Sequence, residues 1–149
     1  MRRSEKEITD KSDIIKILDK ADIIRIAMVD DGEPYIVAMN FAHIDGRIYI
    51  HSAKEGRKIE ALKKNNKIAF QTEIGAEVII EDEACRCGAR FMSVFGTGKA
   101  TFIDDVAEKT KALDALMTKH TGKTSFQYDE RVFERTLVIK IEIGEMTGK

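Results

Sequence analysis

The chain has no tryptophan, one proline and two cysteines, and no apolar run approaches the ~20 residues needed to cross a bilayer as a helix. Each scarcity excludes something. Two cysteines in 149 residues rule out a disulfide scaffold and fit a reducing compartment. The N-terminal stretch MRRSEKEITDKSD is polar and contains no apolar signal core, so a cytoplasmic protein without membrane contact is expected. Neither sign of charge dominates: 25 Lys and Arg against 26 Asp and Glu leave a net of −1. That balance gives no general pull toward nucleic acid or an anionic membrane. No repeat or low-complexity stretch interrupts the chain. Its length suits one domain over 1–149, with about 1–10 as an N-terminal extension, and lets about two-thirds of the unfolded surface be buried.

Hydrophobic spacing predicts the elements. Ile14, Ile15, Ile17, Leu18 and Ala21 recur at helical spacing, with Asp10 or Ser12 available as a cap. Ile23 to Val29 reads as a buried strand, and DDGE at 30–33 as a turn. Tyr35 to Ile44 alternates as a strand does, with Tyr35, Val37, Met39, Phe41 and His43 on one face. Asp45-Gly46 is a hairpin signal, and Arg47 to Ser52 is the partner strand. A short helix follows over Glu55 to Lys64, then strands over Lys67 to Thr72 and Ala76 to Ile80. Glu81 to Gly88 is a charged loop. Arg90 to Ile103 is a long strand whose Gly96 and Gly98 mark a bulge, a corner or close backbone approach. The spacing G-T-G-K at 96–99 does not match a phosphate-binding G-x-x-x-x-G-K loop. A second helix over Val106 to His120 ends at Gly122; Tyr128 to Phe133 forms a helical turn, and Thr136 to Ile143 a last strand. Strands joined by hairpins, with helices at the margins, predict an antiparallel barrel or a strongly bent sheet.

The chemistry concentrates in HSAKEGRKIEALKKN at 51–65, where a strand hands over to a helix. Two readings are open. Ser52 to Glu55 matches a capping box, leaving Lys54, Arg57 and Lys58 as a solvated face. Alternatively, the helix start gathers an anion. Two cations in a first turn oppose the helix dipole unless a negative group neutralises them. An arginine grips two phosphate oxygens at once, and a lysine acts as a point charge.

Three stretches carry a resemblance: PYIVAMNF at 34–41, IYIHSAKEGRKIEALKKN at 48–65 and SVFGTGKATFIDD at 93–105. In this order they resemble the pyridoxamine 5′-phosphate oxidase-like flavoproteins, and within them the nitroimidazole-resistance family. The likeness runs from about Glu7 to the C-terminal IEIGEMTGK. It implies a mainly β fold, a split barrel of about six antiparallel strands with peripheral helices. It further implies a homodimer holding FMN at the subunit interface. Carried over by motif, Arg57 and Lys58 grip the FMN phosphate, with Ser52 and Lys54 assisting. His51 lies beside the ribityl chain or ring, as the plausible proton donor. Val37, Ala38, Met39 and Asn40 line the isoalloxazine, largely through backbone groups, and Ser93 and Val94 close the site from the partner subunit. One departure stands out: Ala38 occupies a place where close relatives often carry proline, which frees a backbone N–H.

The resemblance implies a flavin-dependent oxidoreductase reducing small flat acceptors such as nitroaromatics. The alternatives are a flavin- or haem-binding module without turnover and a true pyridoxamine 5′-phosphate oxidase. The last lacks its sequence support, because the C-terminus has no arginine-rich segment with a histidine. No metal site is expected: Cys85 and Cys87 have no second pair and no histidine at ligand spacing, and a bridge between residues two apart is strained. They are expected as free thiols in a loop. His43 is expected at the barrel surface or an interface, and His120 to be structural.

Overall fold

Two Asp-Gly pairs turn the chain back on itself at the start of the sheet. Asp31 and Gly32 take φ of 51° and 87°, and Asp45 and Gly46 take 51° and 72°. Positive φ at both central residues gives the hairpin turn whose twist matches its strands. The first joins β1 (Ile23–Asp30) to β2 (Glu33–Ile44), and the second joins β2 to β3 (Arg47–Ala53). The computed structural model describes residues 4–149; the first three residues of the expected extension lie outside the described residues. Three further strands complete the sheet: β4 (Lys67–Ile79), β5 (Gly88–Ile103) and β6 (Thr136–Gly148). The six antiparallel strands close into a barrel in the order β1-β2-β3-β6-β5-β4. This is the mainly β split-barrel architecture that the resemblance implied.

Among the described residues four α-helices surround it. Helix α1 (Lys11–Lys20) is capped by Asp10, not Ser12: the Asp10 side chain accepts from the Ser12 N–H. Helix α2 (Arg57–Lys64) follows β3, α3 (Val106–Thr121) follows β5, and α4 (Glu130–Arg135) leads into β6. Gly122 ends α3 in the left-handed conformation at φ 70°, as its position predicted.

The core follows from strand alternation. Ile24, Ile26, Phe41, Ile48, Ile50, Phe70, Val94, Ile139 and Ile141 point inward and are all but fully buried. Ile17 and Leu18 of α1 and Ile59 and Leu62 of α2 join the same cluster, so these helices seal the barrel. Each such side chain contributes roughly 1.5–3 kcal/mol through burial. Helix α3 covers the opposite side of β2, β3 and β6: Leu113 and Leu116 pack with Ala42, Tyr49 and Val138. Tyr49 and Lys140 both donate to Glu108 on that helix, at 2.9 and 3.0 Å.

Several expected boundaries moved: α2 starts at Arg57 and not Glu55, and the turn expected over Tyr128 to Phe133 is helix α4. The strands predicted over Lys67 to Thr72 and Ala76 to Ile80 are one strand, β4, carried through Gly75 at φ 64° and a register shift between Ile74 and Glu77. β6 also runs past Ile143 to Gly148, because β5 offers it a partner for the whole length.

Gly96 and Gly98 are glycines for close approach. A Cβ on Gly96 would meet the Phe70 ring at 2.4 Å, and one on Gly98 would meet the Glu142 carbonyl oxygen at 2.5 Å. The β5–β6 register shifts between them. Gly144 is different: its nearest neighbour to an added Cβ is at 3.6 Å. Gly98→Ala is therefore expected to destabilise by about 1–3 kcal/mol, and Gly144→Ala by much less, measured by thermal unfolding. Equal melting temperatures for the two variants would contradict the packing described.

Candidate functional site

β2 and β3 do not stay together. Their pairing runs only from Phe41 opposite Ile50 to Ile44 opposite Arg47. Beyond it β2 continues toward Glu33 paired with β1 alone, while β3 continues through His51, Ser52 and Ala53 paired with β6 alone. The barrel splits here. Along the split, the β2 edge that carries Val37, Ala38, Met39 and Asn40 has no strand partner among the described residues. A strand edge of this kind offers backbone donors and acceptors in a row. Val37 and Met39 turn their side chains toward the core, and Ala38 and Asn40 turn theirs outward. At the β3 side of the split opens a cavity of about 710 Å³. His51, Ser52, Lys54 and Glu55 line it from the β3–α2 junction, with Val132 and Arg135 from α4.

The structure replaces the expected capping box. Ser52 does not cap α2, whose N-cap is Gly56 at φ 117° with no side-chain cap. Ser52 is a β3 residue opposite Leu137, held by the ladder with β6, so its backbone is not free to start a helix. Its side chain is only 8% exposed, and its Oγ has no hydrogen-bond partner among the described residues. An unsatisfied buried hydroxyl costs about 1–3 kcal/mol.

The two cations at the start of α2 part company. Successive helical residues point about 100° apart. Arg57 turns to the β1–β2 hairpin, where its Nε donates to Asp30 at 2.8 Å and its guanidinium lies 4.4 Å from the centre of the Tyr35 ring. The Arg57 hydrogen bond holds the Asp30 carboxyl below the usual range. Lys64 joins the same turn through Asp31 at 2.8 Å. Lys58 makes no ion pair among the described residues and stands close enough for its charge to act on His51.

His51 retains solvent exposure, yet its imidazole is pushed below the ordinary 6.5. Desolvation by the surrounding protein is the largest cause, followed by the charges of Lys58 and His120. The fold thus favours the neutral ring.

The remaining predicted residues lie apart from the cavity. Val94 is fully buried in the core, so its side chain is not available to a cofactor. Ser93, beside it on β5, exchanges backbone hydrogen bonds with Lys149 at 2.7 and 2.8 Å. Within one chain neither reaches the β3–α2 junction. Arg135 was missed by sequence reasoning. No local motif marks it; only the long-range pairing of Thr136 with Ala53 brings it to the junction. Cys85, on a short turn (Ala84–Arg86), and Cys87, which directly follows that turn, are free and exposed, and no group of metal-ligating side chains occurs among the described residues.

A split antiparallel barrel with an unpartnered strand edge, and a cavity lined by Lys54 and Arg135 at the end of β3, characterises the chain. The family model described as pyridoxamine 5′-phosphate oxidase matches residues 10–149, and the chain belongs to that family. It is similar, at 34% identity and a TM-score of 0.84, to a candidate 5-nitroimidazole antibiotic resistance protein from Bacteroides thetaiotaomicron; the match covers 95% of this chain and 84% of that one. The flavocytochrome Anf3 from Azotobacter vinelandii shares the fold at a TM-score of 0.85 and 22% identity, over 100% of this chain and 71% of its own. A FAD- and haem-binding protein from Mycobacterium smegmatis does so at 0.85 and 21%, over 97% and 72%. An uncharacterized protein of Rhizobium meliloti is 38% identical over 50 residues, which span 34% of this chain and 32% of that relative.

His51 provides a direct check of the electrostatics. Its ring is expected to titrate below 6.5 by NMR, and Lys58→Ala to raise that midpoint by removing a like charge. With the folded pKa depressed, the unfolded chain binds more protons near pH 6, so this residue withdraws stability as pH falls below 6.5. A midpoint at or above 6.5 would contradict the environment described.

Proposed function

We propose that the protein is an FMN-binding flavoprotein, active as a homodimer, that reduces small flat acceptors such as nitroaromatics. The observation that carries this reading is the split: an open strand edge at residues 37–40, and a cavity lined by Lys54 and Arg135 at the diverging end of β3. A flavin needs both features, because its pyrimidine edge requires backbone-like donors and acceptors and its phosphate requires positive charge. Bound FMN supplies the electron transfer. The chain's own residues orient and shield it. Residues 37–40 hold the ring edge, His51 stands beside the ribityl chain, and the phosphate lodges at the β3–α2 junction.

A helix-free outer face supports the dimer. Ile36, Ala27, Ala69 and Thr97 form one cross-strand row over β2, β1, β4 and β5, and Ala38, Arg25, Gln71 and Phe95 the next. Ile36 is 61% exposed and Phe95 52%. Beyond the barrel, β4 and β5 continue as a ribbon that exposes Val78, Phe91 and Met92. A second copy would cover this apolar area, and would bring a second Ser93 to the site. The flavin-binding structural neighbours and the nitroimidazole-resistance relative add support.

Cofactor binding without turnover is the second reading, and one observation bears on it: the imidazole of the proposed proton donor His51 is shifted toward its neutral form by burial and the charge of Lys58. The purified protein is expected to show a flavin absorption spectrum, or to acquire one on titration with FMN, and NAD(P)H is expected to bleach it and support nitro reduction. A yellow protein that NAD(P)H does not bleach would assign it to binding alone; a haem spectrum would move it away from flavin.

A further inference from the structure

We propose that Lys119 is the nucleophilic amine of a covalent carbonyl site, which condenses with small uncharged aldehydes in the cavity between α1, β2 and α3. The inference is independent of the flavin reading: no residue lining this cavity also lines the one at the β3–α2 junction.

The last turn of α3 carries Lys119 across to the end of α1. Its half-buried Nζ donates to the Leu18 carbonyl at 3.0 Å and lies 3.6 Å from the centre of the Phe41 ring. Leu18 is among the last four residues of α1, whose carbonyls have no partner within the helix. An ammonium has three N–H groups to satisfy. Here one carbonyl and one ring face receive it, and among the described residues no carboxylate comes within ion-pair distance. The two carboxylates whose charges act on it are engaged elsewhere: Asp19 with His43 of β2 at 3.1 Å, and Asp22 with His120 of α3 at 3.9 Å. Desolvation outweighs their pull and lowers the Lys119 amine from its ordinary 10.5 to about 8.

The cavity measures about 370 Å³. Ala42, Ile44 and Ala115 give it apolar walls, and the Asp19 carboxylate at its edge repels anions. A short, uncharged carbonyl compound suits that lining. A desolvated lysine in apolar surroundings is the nucleophile such compounds meet in imine chemistry. The amine nitrogen bonds to the carbonyl carbon, and the carbonyl oxygen takes a proton to give a carbinolamine. That hydroxyl then leaves as water while the C=N bond forms, so no oxidant or reductant is consumed. His43 lines the same cavity, its side chain 8% exposed and its Nδ1 against Asp19. Its imidazole is the group placed to pass the proton from the nitrogen to the departing hydroxyl.

The test treats the full chain with propanal and cyanoborohydride, which traps the imine as a secondary amine, between about pH 6 and pH 10, and reads each lysine by peptide mass spectrometry. At about pH 7.5 Lys119 is expected to label about tenfold or more faster than the exposed Lys11 and Lys63, with a midpoint of about 8. Asp19→Asn removes an attractive charge and is expected to lower that midpoint further. His43→Gln, shown folded by its thermal melt, is expected to slow Lys119 by about fivefold or more and leave Lys63 unchanged. Labelling of Lys119 at the rate of Lys63 in wild type overturns the proposal, because the nucleophile is then ordinary. Fast labelling that His43→Gln leaves unaltered overturns it too, because the amine then reacts without its cavity.

Discussion

The divergence of β2 from β3 beyond the Phe41–Ile50 pair is the constraint on which the site depends. Up to that pair the two strands form an ordinary hairpin set by Asp45-Gly46. Past it each keeps only its outer neighbour, so the barrel closes around the gap and not across it. A closed ladder would satisfy the edge of residues 37–40 and leave no room between the strands. The gap keeps polar backbone groups open beside an apolar core, which is an arrangement a flat heterocycle with a polar rim can use.

Helix α2 follows the diverging end of β3 and is fixed at both the core and the first hairpin. Ile59 and Leu62 anchor it in the core, and Arg57 and Lys64 tie it to Asp30 and Asp31 of the first hairpin. These surface ion pairs are individually weak, but the helix they orient carries Lys58 toward His51. The same element therefore seals one end of the barrel and sets the charge at the junction. On the other side of the cavity α4 ends at the entry to β6, so the β3–β6 ladder fixes Arg135 relative to Lys54. The cationic site is a product of two strand registers and one helix orientation.

The fold was legible because its signals are local. Alternation in Tyr35 to Ile44, the two Asp-Gly turns and the glycines of β5 each act within a few residues, and each holds in the structure. The capping box failed because a local pattern competed with a long-range one: Ser52 is paired with Leu137, and the ladder took precedence over the cap. The Arg57–Lys58 pair was visible as charge, but sequence adjacency hides the turn of the helix that sends the two side chains to different partners. Arg135 was illegible for the opposite reason. Nothing near it in sequence marks it, and its place is set by a strand 80 residues away, as the pairing of Ala53 with Thr136 shows. Val94 was legible as part of a motif, yet its alternation phase turns it into the core.

Amide hydrogen exchange across β2, with and without FMN, tests the central claim most directly. If the open edge receives the flavin, amides within residues 37–40 gain protection on binding, while Ile24 and Ile26 on the already paired β1 change little. Saturation with FMN that leaves the exchange of residues 37–40 unaltered would contradict the account, because the cofactor would then lie away from the split.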